Sequence, residues 1–421
     1  MLAFPASAIF AYEPFFDAPA SYNAGTNPRS ITACDLNGDG RPDLAVANGV
    51  SDSTVSVLMG NGSGTFASKV DYDAGSWTLS IFCSDFNGDG KPDLAVANAA
   101  SHTVSILANN GDGTFAPPFD YETGIDPASV FAADFNGDGR PDLAVANYFD
   151  GTVSIFTNNG DGSFAARADY DAGGWPRSVF AADLDGDGKL DLAAANTEEG
   201  GVSVLRNNGD GTFAPRAAYG TGSFPAFVFA ADLDGDGKPD LAAANTGSDS
   251  VSVLKNNGDG TFSVRVNYAT GSKPFSVFAA DLDGDSSRDL MAANYGGNTV
   301  SVLRNNGDGT FAGRVDYEAG LNPRSVLAAD LDGDGDFDLA TANDSATISI
   351  LENVSICAAR GDLNCDHSLS PADAVLMLNC VFLASGGCDL SFADVNCSGD
   401  LSPADVVLEL NLVFLGAPLP C

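Results

Sequence analysis

The nine residues DLNGDGRPD from Asp35 return six more times, as DFNGDGKPD from Asp85, DFNGDGRPD from Asp134, DLDGDGKLD from Asp183, DLDGDGKPD from Asp232, DLDGDSSRD from Asp281 and DLDGDGDFD from Asp330. Their first aspartates are 50 residues apart once and 49 residues apart thereafter. A fixed period of that size is the signature of a repeat architecture, in which each unit buries its faces against its neighbours. With 44% hydrophobic residues in 421 positions the chain has ample material for a core and lacks the composition of a disordered segment.

Between successive acidic stretches the pattern alternates with period two and is broken by Gly, Asn and Asp clusters. LAVAN or LAAAN is followed by a variable stretch, a TVSVL-type segment, NNGDGTF, and a short segment marked by tyrosine. This predicts four short antiparallel strands per unit, joined by tight turns. Ala45 and Ala47 make one strand thin where Val55, Val57 and Leu58 are bulky, as stacked sheets require. Four-stranded sheets repeated radially make a propeller, and seven acidic loops predict seven blades. Tyr22 precedes the first acidic loop, while the last unit stops at TISILEN, Thr347 to Asn353, without a tyrosine segment. The two incomplete ends complete one blade if Phe15 to Ala24 pairs beside Thr347 to Leu351, which closes the ring and leaves fewer exposed edges than a solenoid.

The acidic loops then join the first and second strands. Their side-chain oxygens fall at positions 1, 3, 5 and 9, and position 7 can add its carbonyl. These are Asp35, Asn37, Asp39, Arg41 and Asp43; Asp85, Asn87, Asp89, Lys91 and Asp93; Asp134, Asn136, Asp138, Arg140 and Asp142; Asp183, Asp185, Asp187, Lys189 and Asp191; Asp232, Asp234, Asp236, Lys238 and Asp240; Asp281, Asp283, Asp285, Ser287 and Asp289; and Asp330, Asp332, Asp334, Asp336 and Asp338. An oxygen-only, carboxylate-rich set suits a hard cation, and flexible multi-oxygen sites favour Ca²⁺ over Mg²⁺. Asp, Asn and Gly also favour turns without metal. However, 25 of the 57 acidic residues occupy these side-chain positions, and such crowding repels itself without a cation. The sixth loop has Ser286 where the others have glycine. NNGDGTF usually holds one acid and reads as a plain hairpin turn. A net charge of −38 argues against nucleic acid or an anionic membrane as partner. No apolar run is long enough to span a membrane.

Units containing D-x-[DN]-G-D-G-x-x-D-L and GDGTF resemble FG-GAP/VCBS repeats, the blades of integrin α-like propellers. The resemblance covers about residues 12–353 and implies a seven-bladed propeller with Ca²⁺ in the loops between first and second strands.

After Asn353 the periodicity moves towards 3.6, and six of the eight cysteines fall between Cys357 and Cys421. Two copies of one pattern follow, each an acidic loop running into a helical segment with Ser-Pro at its start. The first carries Asp362, Asn364, Asp366, Ser368, Ser370 and Asp373; the second carries Asp394, Asn396, Ser398, Asp400, Ser402 and Asp405. Loop-then-helix twice resembles the dockerin domain, which implies a small all-α domain holding up to two Ca²⁺ and gripping a cohesin-type scaffold. His367 stands where glycine is expected, and Ser398 leaves the second loop one carboxylate short. The expected division is therefore residues 1–353, an all-β seven-bladed propeller, and residues 354–421, a dockerin-like tail. The tail's cysteines point to disulfides and an oxidising, extracellular location. The start, MLAFPASAIFAYEPFF, lacks the cationic region of a complete signal peptide. Cys34 and Cys83 lie out of phase in neighbouring blades and read as buried thiols.

Only His102 and His367 are available as histidine bases, and neither has an evident orienting partner. No catalytic constellation emerges. The variable connections, by contrast, carry aromatics: Trp77, Trp175 and Phe224 at one equivalent position, and Tyr148, Phe149 and Tyr295 in another set of loops. Aromatics on irregular loops of a rigid scaffold suit a glycan or protein ligand. The expectation is an exported binding or adhesion module. Its alternative is a polysaccharide-degrading hydrolase or lyase tethered through its dockerin-like tail.

Overall fold

The computed structural model describes residues 16–49 and 52–353. All 28 regular elements among them are strands, arranged as seven four-stranded antiparallel sheets. Blade 1 comprises Pro28–Cys34, Asp43–Asn48, Thr54–Leu58 and Val70–Asp73, in that spatial order. Blades 2 to 6 repeat it, with first strands Thr78–Ser84, Pro127–Ala133, Pro176–Ala182, Pro225–Ala231 and Pro274–Ala280. Blade 7 takes Pro323–Ala329, Asp338–Asn343 and Thr347–Leu351 from one end of the repeats and Ala20–Asn23 from the other. Tyr22 opposes Ile348 and Ala20 opposes Ile350, so the orphan strand expected from the sequence does complete the last blade.

The chain divides into two units. One is Ala18–Asp281 with Asp285–Glu352 and holds the blade strands. The described residues of the other are Phe16, Asp17, Leu282–Gly284 and Asn353, and within it Phe16 bridges Asn353. Residues 354–421, and with them the dockerin-like reading, its cysteines and its loop residues from Asp362 to Asp405, lie outside the described residues.

The second strand of each blade explains how the sheets stack. All six residues of Asp43–Asn48 are buried, on both faces. Leu44 and Val46 pack into a cluster with Leu327, Ala340 and Ile348 of blade 7, while Ala45 and Ala47 face Ile81, Leu94 and Val96 of blade 2. Alternation with period two thus gives the blades a bulky side and a thin side, and one packs against the other. The same arrangement holds with Leu192 and Ala194 towards blade 3 and Ala193 and Ala195 towards blade 5.

The innermost strands of blades 2 to 6 carry a belt of tilted, contacting rings. Phe82, Phe131, Phe180, Phe229 and Phe278 follow one another at centroid separations of 4.6 to 4.7 Å. At the outside, the tyrosine of one blade meets the GDGTF phenylalanine of the next edge-on, as in Tyr72 and Phe115 at 5.2 Å or Tyr219 and Phe262 at 5.1 Å. Cys34 and Cys83 are free, as expected, but half-buried rather than buried. The two thiols influence each other: the neighbouring Cys34 holds the Cys83 thiol down, whereas Cys83 and burial push the Cys34 thiol up.

Candidate functional site

Each acidic loop is organised around its first aspartate. Oδ1 of Asp35 accepts from the Gly38 and Asp39 amides at 2.7 and 3.1 Å, and Oδ2 accepts from Gly40 at 2.8 Å. Gly38 and Gly40 sit at φ 77° and 82°, a conformation in which a Cβ would be strained. Asp39 Oδ1 accepts from the amide of Arg41 at 3.0 Å. The last aspartate has a different setting. Asp43 is fully buried, with one oxygen accepting from Leu36 at 2.9 Å and the other from Gly60, in the turn between strands three and four, at 2.7 Å. Position 9 therefore ties two connections of the blade together on one face.

The geometry recurs around the ring: Asp85, Asp134, Asp183 and Asp232 hold the amides of their loops as Asp35 does. Asp93, Asp142, Asp191 and Asp240 repeat the buried setting of Asp43. Burial, above all, pushes these four carboxyls up to about 6, against the pull of their amide donors. In three of the loops with aspartate at position 3, carboxylate oxygens of positions 1, 3 and 9 converge within 4.8 Å: Asp183, Asp185 and Asp191; Asp232, Asp234 and Asp240; and Asp330, Asp332 and Asp338. These are residues that could hold a metal ion, and an all-oxygen donor set of this charge fits a hard divalent cation. In loops 1 to 3 the third position is Asn37, Asn87 or Asn136. Position 5 turns towards position 7: Asp187 meets Lys189 at 2.8 Å and Asp236 meets Lys238 at 2.9 Å, exposed pairs of small value by themselves. In the sixth loop Ser286 takes φ 71° in place of glycine and donates its amide to Asp281 at 2.9 Å, beside the 3.2 Å bond from Asp285.

The opposite face is built from the other two connections. One residue before each first strand adopts positive φ: Asn27, Trp77, Asp126, Trp175, Phe224, Lys273 and Asn322, at 51 to 61°. Its carbonyl accepts from the first residue after the second strand, as in Ala99 to Trp77 at 2.9 Å, Tyr148 to Asp126 at 2.9 Å and Tyr295 to Lys273 at 3.0 Å. Seven rigid display points result, one per blade. Trp77 and Phe224 project singly and are 45% and 55% exposed. Tyr148 and Trp175 come together, stacked at 5.7 Å with an interplanar angle of 24°, and Phe149 packs on Tyr148. Tyr295 is drawn instead to Phe275, at 5.2 Å, a residue that sequence reasoning passed over.

A family model for the FG-GAP-like repeat matches residues 35–96, 85–145, 134–194, 183–243, 232–292 and 281–341. The chain belongs to this FG-GAP-like repeat family. No curated protein matches it. Among solved structures, an Agrocybe aegerita lectin described by its specific recognition of non-reducing terminal N-acetylglucosamine is 28% identical, with a TM-score of 0.51, over 70% of this chain and 80% of the lectin. Virginiamycin B lyase from Staphylococcus aureus shares the fold at 13% identity, with a TM-score of 0.58 over 80% of this chain and 99% of the lyase.

The FG-GAP repeats also hold residues that the sequence reading undervalued. The first asparagine of NNGDGTF is a clip between blades, not merely a turn residue. Asn207 donates from Nδ2 to the Phe135 carbonyl of the preceding blade at 2.9 Å and to Leu190 at 3.0 Å, and its Oδ1 accepts from Gly209. Asn109, Asn158, Asn256 and Asn305 do the same. The available signal was its constancy in every copy except the first, where Gly60 stands instead.

Proposed function

We propose that this protein is an exported, Ca²⁺-stabilised carbohydrate-binding propeller that presents its ligand on the face carrying the seven display points. The observation that carries this reading is the backbone of Trp77, Trp175 and Phe224. A bulky residue in the left-handed region costs on the order of 1–2 kcal/mol, and such strain concentrates where a side chain serves a ligand. The flat, partly exposed rings suit the apolar faces of sugars. The resemblance to a lectin supports a saccharide over a protein ligand. Calcium is the cation assigned to the acidic loops, since seven flexible oxygen sets tolerate its larger shell better than the strict octahedron of Mg²⁺. Residues 354–421 are assigned the role of a dockerin-like tether to a cohesin-type scaffold, with its cysteines in disulfides.

The reading is tested by a glycan array run beside a polysaccharide-degradation screen. Retention of one or more glycans without turnover is expected, and Trp77→Ala with Trp175→Ala should remove it. Degradation without retained binding would overturn the assignment.

A further inference from the structure

The second residue of each innermost strand departs from the repeat in an uneven way: it is Arg29, Leu79, Ala128, Arg177, Ala226, Phe275 and Arg324 around the ring. The three arginines converge at the end of the axis where the display points lie. The guanidinium of Arg177, from blade 4, is 4.9 Å from the ring of Phe275 in blade 6. That of Arg324, from blade 7, is 4.8 Å from the same ring and 4.4 Å from Tyr295. Contacts between blades so far apart in the ring are possible only across the channel mouth.

Their charges are not balanced. Arg324 is satisfied by Asp344, with two bonds of 2.7 and 2.9 Å. Arg29 reaches the same carboxylate only at 3.9 Å, and its Nε is buried without a hydrogen-bond partner. Arg177 has no ion pair and no hydrogen bond among the described residues. Its facing charges are Asp126, the phenol of Tyr148 and the repelling Arg324. Asp126 itself is held up by burial, against the pull of His102 and Arg177. Three cations thus face two carboxylates, in a chain whose net charge is −38.

The grooves between blades make the contrast plain. A cavity of about 580 Å³ between blades 3 and 4 includes Arg216, but that guanidinium is paired with Glu199 at 2.8 Å and Asp171 at 3.2 Å. A similar cavity of about 540 Å³ includes Arg314, paired with Asp316 at 3.0 Å. At the axial mouth, by contrast, partly desolvated guanidiniums are left short of anions, a costly state unless a ligand supplies the missing charge.

We propose that the axial mouth binds a carboxylate-bearing saccharide, a uronate unit. Arg177 and Arg29 hold its carboxylate, and Tyr295 and the Tyr148–Trp175 stack flank its ring. The planar fork of a guanidinium matches a carboxylate in two-bond geometry, which is why arginine rather than lysine is expected here. This assignment rests on the glycan-binding reading and narrows its ligand class.

Calorimetric titration of the full chain with a cello-oligosaccharide, with its C6-oxidised uronate counterpart of equal length and with sodium acetate, at constant free Ca²⁺, tests it. The uronate should bind about tenfold or more tighter than the neutral sugar. That advantage should shrink between about 50 mM and about 500 mM NaCl. Arg177→Gln should abolish it, and Arg177→Lys should retain part of it, which separates loss of charge from loss of fold. Equal affinity for the two sugars, or an unchanged preference in a folded Arg177→Gln protein, would overturn the uronate assignment while leaving glycan binding intact. Acetate matching the uronate would reduce the mouth to an anion hole and overturn it too. Retention of no saccharide, chito-oligosaccharides included, would overturn both readings.

Discussion

At the scale of single residues, the same left-handed conformation is used for two purposes. Gly38 and Gly40 adopt it to turn the acidic loop inward, whereas Trp77 and Trp175 adopt it to point outward with 45% and 37% of their surface exposed. The strain predicts that Trp77→Gly with Trp175→Gly leaves the melting temperature unchanged or raises it, while glycan retention is lost. Equal loss of folding would show that both rings are packing residues. Ser286 is the reverse case, a non-glycine in a position the other loops give to glycine. Ser286→Gly should stabilise the protein by about 1 kcal/mol in denaturant unfolding, a gain absent if the sixth loop relaxes without cost. The aromatic positions were legible in the sequence because the repeat fixes their equivalence. The partnership of Phe275 with Tyr295 and Arg324 was not, since it depends on which blades face one another across the axis.

Among the elements, the loops and turns bind the blades as much as the strands do. Asn207→Ala should cost about 1–3 kcal/mol, because it leaves the carbonyls of Phe135 and Leu190 without their donor. Thermal melting would reveal it, and a change within error would mean that water replaces the clip. The buried aspartates make a further prediction. Their carboxyls lie near pH 6 in the metal-free fold, above the usual range for an unfolded chain, so protonation favours the folded state. In chelator, stability should rise as pH falls from 7 towards 5, and it should be lost as pH climbs through 6. With saturating Ca²⁺ the dependence should weaken or invert, because the ion requires the carboxylate. A metal-free protein that loses stability over that interval would contradict the burial argument. The strands themselves were legible from alternation and from the tyrosine that marks each fourth strand. The role of Asn207 was not, because a local turn motif does not disclose a hydrogen bond to a loop 72 residues earlier.

For the molecule as a whole, closure and charge decide stability together. Pairing of Ala20–Asn23 with Thr347–Leu351 joins the two ends of the repeat array, and the packing of Ile31 and Leu44 against Leu327 and Ile350 seals that seam. The pairing followed from counting incomplete units, which is why the ring was readable before its contacts were. The axial arginines were not, being an irregularity of three copies within a regular pattern. A ring lined by seven acidic loops in a chain of net charge −38 is held against its own repulsion. The account therefore turns on the cation. Each site kept at a hundred times its dissociation constant adds about 2.7 kcal/mol to folding. The most direct measurement is calorimetric melting in EGTA, in Ca²⁺ and in Mg²⁺, with elemental analysis of the dialysed protein. The account predicts a fall on the order of 10 °C or more on chelation, restored by Ca²⁺ and poorly by Mg²⁺, with about seven bound Ca²⁺ from the propeller loops. Melting indifferent to EGTA, with far fewer ions per chain, would contradict it and leave DLNGDGRPD a hydrogen-bonded turn.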